Sequence, residues 1–212
     1  MIIGDLTINA VKLLQKEQGN SQDGEFGPKT YVESDLNMDV SGTVTSTATS
    51  TSNIKELLIY FKKQPDVVTC GPTSLSMVFS YYDVNVSVET LRKLCKTDKN
   101  GTSPDNLVAA VPKTNKDFIL VEEDYKNFDQ LVKHVDNNNP MIIQLQTISE
   151  LDYVGSYGHY VALTGYNRSA QTVKIADPSR TIKWFSVAIL KKAIDKRLSM
   201  GKIKPVKVLK KK

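Results

Sequence analysis

The stretch Thr69-Cys70-Gly71-Pro72-Thr73-Ser74-Leu75-Ser76-Met77 decides how the rest of the chain is read. Leu75, Val78, Phe79 and Tyr82 recur at the i, i+3, i+4 and i+7 spacing of one helix face. Pro72 falls in the first turn, where its missing N–H leaves no bond unmade. Cys70 therefore stands at a helix start, beside N–H groups that lack intrahelical partners and at the positive end of the helix dipole. Both favour a thiolate over a thiol. Gly71 is expected to leave the sulfur open on one side for a substrate backbone. By itself this stretch also fits a small, buried, apolar cysteine. The second thiol, Cys95, shares an apolar face with Val88, Leu91 and Leu94 and reads as core.

Working outward, a thiol nucleophile needs a neighbouring base, and the chain holds only two histidines, His134 and His159. His134, in Leu131-Val132-Lys133-His134-Val135-Asp136, lies one step off the apolar face and reads as a solvated helix histidine. His159 follows the loop Gly155-Ser156-Tyr157-Gly158 and opens the apolar strand Tyr160-Val161-Ala162-Leu163. Such a junction fixes a side chain while leaving it reachable, so His159 is the expected base. Asp177 ends the strand Thr172-Val173-Lys174-Ile175-Ala176 and precedes Pro178. If that strand pairs with the one His159 opens, the hairpin over 165–171 returns the carboxylate to the imidazole, where it would orient the ring and stabilise its charged form. Gln64, shortly before Cys70, carries an amide able to donate to the oxyanion formed when a thiolate attacks a carbonyl.

Residues 41–53 are nearly all hydroxyl-bearing or small, with no apolar period, and read as a linker. Ahead of it, residues 1–40 carry a helical stripe of Ile8, Val11, Leu14 and Gln15, then Asp23-Gly24-Glu25-Phe26-Gly27-Pro28-Lys29-Thr30. After it, Leu57, Leu58 and Phe61 lead to Gln64 and the Cys70 helix. A segment capped by Ser87 follows, then a helix opened by Ser103-Pro104-Asp105, and a further helical period at Phe128, Leu131, Val132 and Val135. Strands are predicted at 141–146, 160–164, 173–176 and 183–185. Helices first and strands later predict an α+β domain over 54–212, a helical half followed by an antiparallel sheet.

Two cysteines are too few for a stapled secreted scaffold, and a working thiolate requires reducing conditions. The absence of CxxC and HxxxH spacing argues against zinc. No stretch approaches the ~18 apolar residues of a membrane span, and Asp5 stands where a secretory leader needs a cation, which predicts synthesis in the cytoplasm without a signal peptide. The net charge of +5 gathers in Lys202, Lys204, Lys207 and Lys210-Lys211-Lys212. Such an end could hold an anionic wall or nucleic acid, but it reads as a solvated chain end, with no nucleic-acid partner. Ile203, Val206 and Val208 suggest a short last strand, at the sheet edge because of Pro205.

Residues 1–40 resemble the first half of the three-helix peptidoglycan-binding modules and depart from them after Tyr31. The order Gln64, Cys70, His159, Asp177 resembles the papain-like superfamily, including the leader peptidases found in exporters of double-glycine peptides. A closer resemblance is to the pseudomurein endoisopeptidases, which lyse methanogen cell walls. It rests on the stretch around Cys70, on Gly101-Thr102-Ser103-Pro104-Asp105-Asn106-Leu107, on Met141 to Thr147, on Tyr153 to Tyr160 and on Ala176-Asp177-Pro178.

That resemblance implies hydrolysis of the isopeptide bond between an alanine carbonyl and a lysine side-chain amine of pseudomurein. Cys70 would attack, His159 would protonate the leaving amine and then activate water, Asp177 would hold His159, and Gln64 would steady the oxyanion. It also implies a monomer acting on the host cell wall, with no cofactor in the chemistry. Calcium is associated with the family, with no ligand residue assigned here. Dedicated pseudomurein-binding repeats, usual in that family, are missing. Two other readings stay open: a peptidase for peptidoglycan crosslinks or a leader peptide, and a non-catalytic wall- or nucleic-acid-binding protein with a buried thiol.

Overall fold

Seven strands form one antiparallel sheet in the computed structural model of the chain, which describes residues 53–212. The front segment 1–40 and all of the expected linker but Asn53 lie outside the described residues. In chain order the elements are β1 (Ile54–Glu56), α1 (Cys70–Ser80), α2 (Val88–Leu94), α3 (Pro104–Thr114), β2 (Phe118–Glu123), α4 (Phe128–Asp136), β3 (Met141–Gln146), β4 (Gly158–Asn167), β5 (Thr172–Ala176), β6 (Ile182–Ser186), α5 (Val187–Leu198) and β7 (Val206–Lys211). The strand order is β2-β7-β3-β4-β5-β6, and β1 pairs with the second half of β4. This is the α+β architecture read from the helix-then-strand order, and the one that the papain-like resemblance implies.

The helices cover both faces of the sheet, and β3 shows why its sequence lacks polar alternation. Met141, Ile143 and Leu145 pack with Leu131, Leu190 and Ile194 of α4 and α5. Ile142 points the other way, into a cluster with Leu75, Phe79 and Leu107 of α1 and α3. A strand covered on both faces reads as a continuous apolar run. Helix starts follow local chemistry. Ser87, Ser103, Asn127 and Ser186 each accept a hydrogen bond from a backbone N–H three residues on, satisfying a donor the helix leaves free.

Three expectations are corrected here. β7 is an interior strand between β2 and β3, and Pro205 stands just before it and accepts from the Gln144 N–H at 2.8 Å. Within the lysine-rich end Lys207 is no solvated cation, since it is fully buried with its Nζ 2.9 Å from Glu122, whereas Lys202, Lys204, Lys211 and Lys212 are exposed. His134 is buried as well, its Nε2 2.9 Å from Glu123 on β2. No helix among the described residues is long and apolar enough to cross a membrane.

Candidate active site

Every residue of α1 is buried, which anchors the thiol at its first position. The Thr69 carbonyl accepts from the Thr73 N–H at 3.0 Å and from the Thr73 hydroxyl at 2.8 Å, closing the first turn around Cys70. Ser74 Oγ donates to the Tyr160 carbonyl at 3.1 Å and so pins the helix start against β4. Gly71 works differently from the expected open approach. A Cβ there would stand 3.1 Å from Thr102 Cβ and 3.3 Å from a Tyr160 ring carbon, so the missing side chain admits the 97–103 loop rather than substrate.

His159 is the second residue of β4 and Asp177 directly follows β5. The two strands pair as expected, with Ala162 opposite Ala176 and an irregularity between Leu163 and Gly165, so the chain returns Asp177 to the ring. His159 Nε2 lies 2.9 Å from Asp177 Oδ1. The same side chain is hydrogen-bonded to the Cys70 sulfur; with Nε2 committed to Asp177, Nδ1 is the nitrogen left for the thiol. Asp177 Oδ1 also accepts from Ser179 N–H at 2.9 Å and Ser179 Oγ at 2.8 Å, while the Tyr153 hydroxyl donates to Oδ2.

Electrostatics agree with the geometry. Burial pushes the Cys70 thiol up, but the hydrogen bond and charge of His159, with N–H groups of Tyr160 and Gly71, outweigh it and hold the thiol below its ordinary value. Burial alone would lower His159, yet the hydrogen bonds and charges of Asp177 and Cys70 raise it to about 9. Asp177, pushed up by burial, is held down at about 2, first by the His159 hydrogen bond and charge and then by Tyr153 and Ser179. A lowered thiol beside a raised imidazole favours the thiolate–imidazolium pair. Cys95 is the opposite case: fully buried, with no charged neighbour offsetting the burial that drives it to about 12.

Gln64 is tied to the same loop, its N–H donating to the Pro178 carbonyl at 2.7 Å. Its side-chain Nε2 donates to the Asp66 carbonyl at 2.7 Å, which leaves the second amide proton uncommitted. Gln64, Cys70 and His159 line one cleft of about 830 Å³, whose mouth includes Gly101, Thr102, Ser103 and Pro104. Among the described residues no three His, Cys, Asp or Glu side chains gather as metal ligands, so the calcium expectation gains no residues.

Sequence reasoning assigned no role to Tyr153 or Arg180. The Tyr153 ring stands edge-on to His159 at 5.5 Å between centroids, and the Arg180 guanidinium lies 4.3 Å from its ring centre. The only sequence signal was that Tyr153 lies in a stretch shared with a resembled family. Tyr153→Phe removes one donor from Asp177 and should lower kcat/KM on the order of tenfold, the size of one hydrogen bond to a charged group. It should also move the alkaline limb of the pH profile; an unchanged limb would make Tyr153 only a packing residue.

Of the two thiols, one is sealed in the core and the other stands beside a strand-borne imidazole in the lining of a cleft. A thiol set in this way, on a helix laid against an antiparallel sheet, is the arrangement of the papain-like cysteine peptidase fold. A family model described as the Peptidase_C39 like family matches residues 56–197, well over half of the sequence, and the chain belongs to that family. The mesentericin-Y105 transport/processing ATP-binding protein MesD of Leuconostoc mesenteroides is 30% identical over 124 residues, 58% of this chain and 16% of that protein. This chain thus spans under a fifth of the curated relatives it matches. Two solved structures share the fold. A double glycine motif protease from an AMS/PCAT transporter, crystallised with its leader peptide, aligns at TM-score 0.54 and 17% identity over 74% of this chain and 95% of that one. A C39-like peptidase from Bacillus anthracis aligns at TM-score 0.58 and 18% identity over 74% and 98%.

Proposed function

We propose that the chain hydrolyses amide bonds of a peptide by thiol chemistry at Cys70, and the unbroken Cys70–His159–Asp177 relay carries this reading. The thiolate attacks the scissile carbonyl carbon, and the Gln64 amide with the Cys70 N–H, which opens the helix, steadies the oxyanion. His159, charged at the outset, gives its proton to the leaving amine as the C–N bond breaks. It then takes a proton from water, which attacks the thioester and frees Cys70. Asp177 keeps the ring oriented throughout. The chemistry uses no cofactor, but the thiol must be reduced.

Two substrate classes compete. The transport/processing relatives favour a leader-type peptide. The pseudomurein alanine–lysine isopeptide, with action on a host cell wall by a protein made in the cytoplasm, rests on the sequence resemblance, whose Gly101-Thr102-Ser103-Pro104 stretch lines the cleft. Digestion of purified methanogen walls and of synthetic double-glycine peptides, with new amines mapped by mass spectrometry, separates them. Lysine side-chain amines appear only if the isopeptide is cut, and peptide α-amines only if a main-chain bond is cut.

The charge state predicts a bell-shaped profile. Activity rises with pH as Cys70 loses its proton, below the free-thiol value of about 8.5, and falls as His159 loses its own near about 9. Iodoacetamide should therefore label Cys70 in the native protein below the free-thiol value of about 8.5 and spare Cys95 until unfolding. Faster labelling of Cys95 would overturn the assignment.

A further inference from the structure

Two residues lining the cleft that the peptidase reading does not use each carry a buried polar atom without a partner. Gln144, on β3, is only 5% exposed, and its Oε1 is buried without a hydrogen-bond partner. Arg197, in the last turn of α5, has its guanidinium Nε buried and unpartnered in the same way. Both residues line the cleft that contains Cys70 and His159. A buried acceptor and a buried charged donor left unmade are unfavourable, and in a cleft their natural partner is the ligand.

Their placement brings them close to the reacting bond. Gln144 lies opposite Tyr160 across the β3–β4 ladder, one register step from the Leu145–His159 pair. Arg197 Nε is 3.8 Å from where a Cβ on Gly158 would stand, the residue immediately before His159. A bulky side chain at 158 would crowd the guanidinium, so glycine keeps this arm of the cleft open.

Charge narrows the ligand. Lys96, Lys99 and Arg197 line the cleft against Asp98 alone among carboxylates. The nearby Glu122 is committed to Lys207 at 2.9 Å, and no carboxylate among the described residues pairs with Arg197. A site with one free acceptor, one free cationic donor and a positive surround suits a carboxylate beside a peptide N–H.

Building on the peptidase reading above, we propose that Gln144 and Arg197 form a specificity subsite for a carboxylate near the scissile bond of the substrate. The Arg197 Nε–H donates to the carboxylate, and Gln144 Oε1 accepts from the adjacent peptide N–H. The carboxylate is either an acidic side chain or a free chain-terminal group.

The test uses the full chain and N-acetylated peptides that the wild type cleaves. Each is made in matched forms: Glu or Gln near the cut, and a C-terminal acid or amide. The wild type should favour the carboxylate form by about tenfold or more in kcat/KM, and whichever matched pair shows the preference names the source. Arg197→Gln should bring that ratio near one. Arg197→Lys, which keeps the charge but lacks the Nε–H, should fall between. Gln144→Glu adds a carboxylate to the same subsite and should invert the preference. Thermal melts check that each variant folds. Equal rates on acid and amide forms by the wild type overturn the subsite.

Alkylation reads the same charge without turnover. The rate of Cys70 with iodoacetate relative to iodoacetamide should fall several-fold in Arg197→Gln, and an unchanged ratio counts against the proposal. If no peptide is cut while that ratio still falls, the peptidase reading fails and the anion subsite stands.

Discussion

Replacing Cys70 by alanine should abolish amide hydrolysis, with a fall in kcat on the order of 10⁶, the cost of deleting the nucleophile of such a relay. The expectation rests on where the sulfur sits rather than on its residue type alone. Cys70 opens a fully buried helix, shares a hydrogen bond with His159, and has its thiol held below the ordinary range despite burial. No second thiol can take over, because Cys95 is buried and pushed up to about 12. The fold should survive, since Thr69, Thr73 and Ser74 fix the helix start through bonds that do not involve the sulfur. His159→Ala should fail to a similar extent, and the double variant should be little worse than either single one, as expected of groups acting together. Turnover assays on any substrate the wild type cuts, with a thermal melt to confirm folding, decide the matter. Retained activity in Cys70→Ala would remove the thiol from the mechanism.

Glu122→Gln should be the most destabilising conservative change in the described domain. Lys207 is fully buried, its charge opposed by Glu122 at 2.9 Å and its Nζ also donating to the Lys204 carbonyl at 2.8 Å. Burial already holds Lys207 below the usual lysine value, against the pull of Glu122. Removing the carboxylate strands the ammonium, and breaking a buried pair in this way costs about 3–5 kcal/mol. For a domain of this size that is a drop in Tm of about 6–20 °C. Lys207→Met, which removes the buried charge instead, should cost far less, and the double variant should recover most of the loss. Calorimetry on the three variants tests the pair, and a Glu122→Gln melt within a degree or two of wild type would show that water reaches the ammonium.

The same strand pair explains which parts of the structure were legible beforehand. The Cys70 helix, the apolar run of β3 and the return of Asp177 to His159 all follow from local signals: a 3.6-residue period, a run covered on both faces, and a short hairpin. What failed has a common origin in β2. That strand pairs with β7 from nearly the other end of the domain, and nothing local announces the partnership. Without β2 in view, Lys207 looked like a solvated cation and His134 like a solvated histidine, because their partners Glu122 and Glu123 are its last two residues. Pro205 pointed to an edge because it lacks an N–H, yet it precedes the ladder and contributes a carbonyl instead. Arg197 and Gln144 escaped notice for a related reason, since only the folded chain brings the end of α5 to the His159 strand.

The position of β7 also shapes how the protein comes into being. Residues 206–211 leave the ribosome after every other described strand, yet they fill a gap in the middle of the sheet. Until they arrive, the facing sides of β2 and β3 expose open ladders of N–H and C=O groups that invite strangers. Closure joins segments distant in sequence, the kind of step that makes folding slow. A nascent chain stalled short of Val206 would therefore be sticky and incomplete, so the finished domain is an all-or-nothing product of translation.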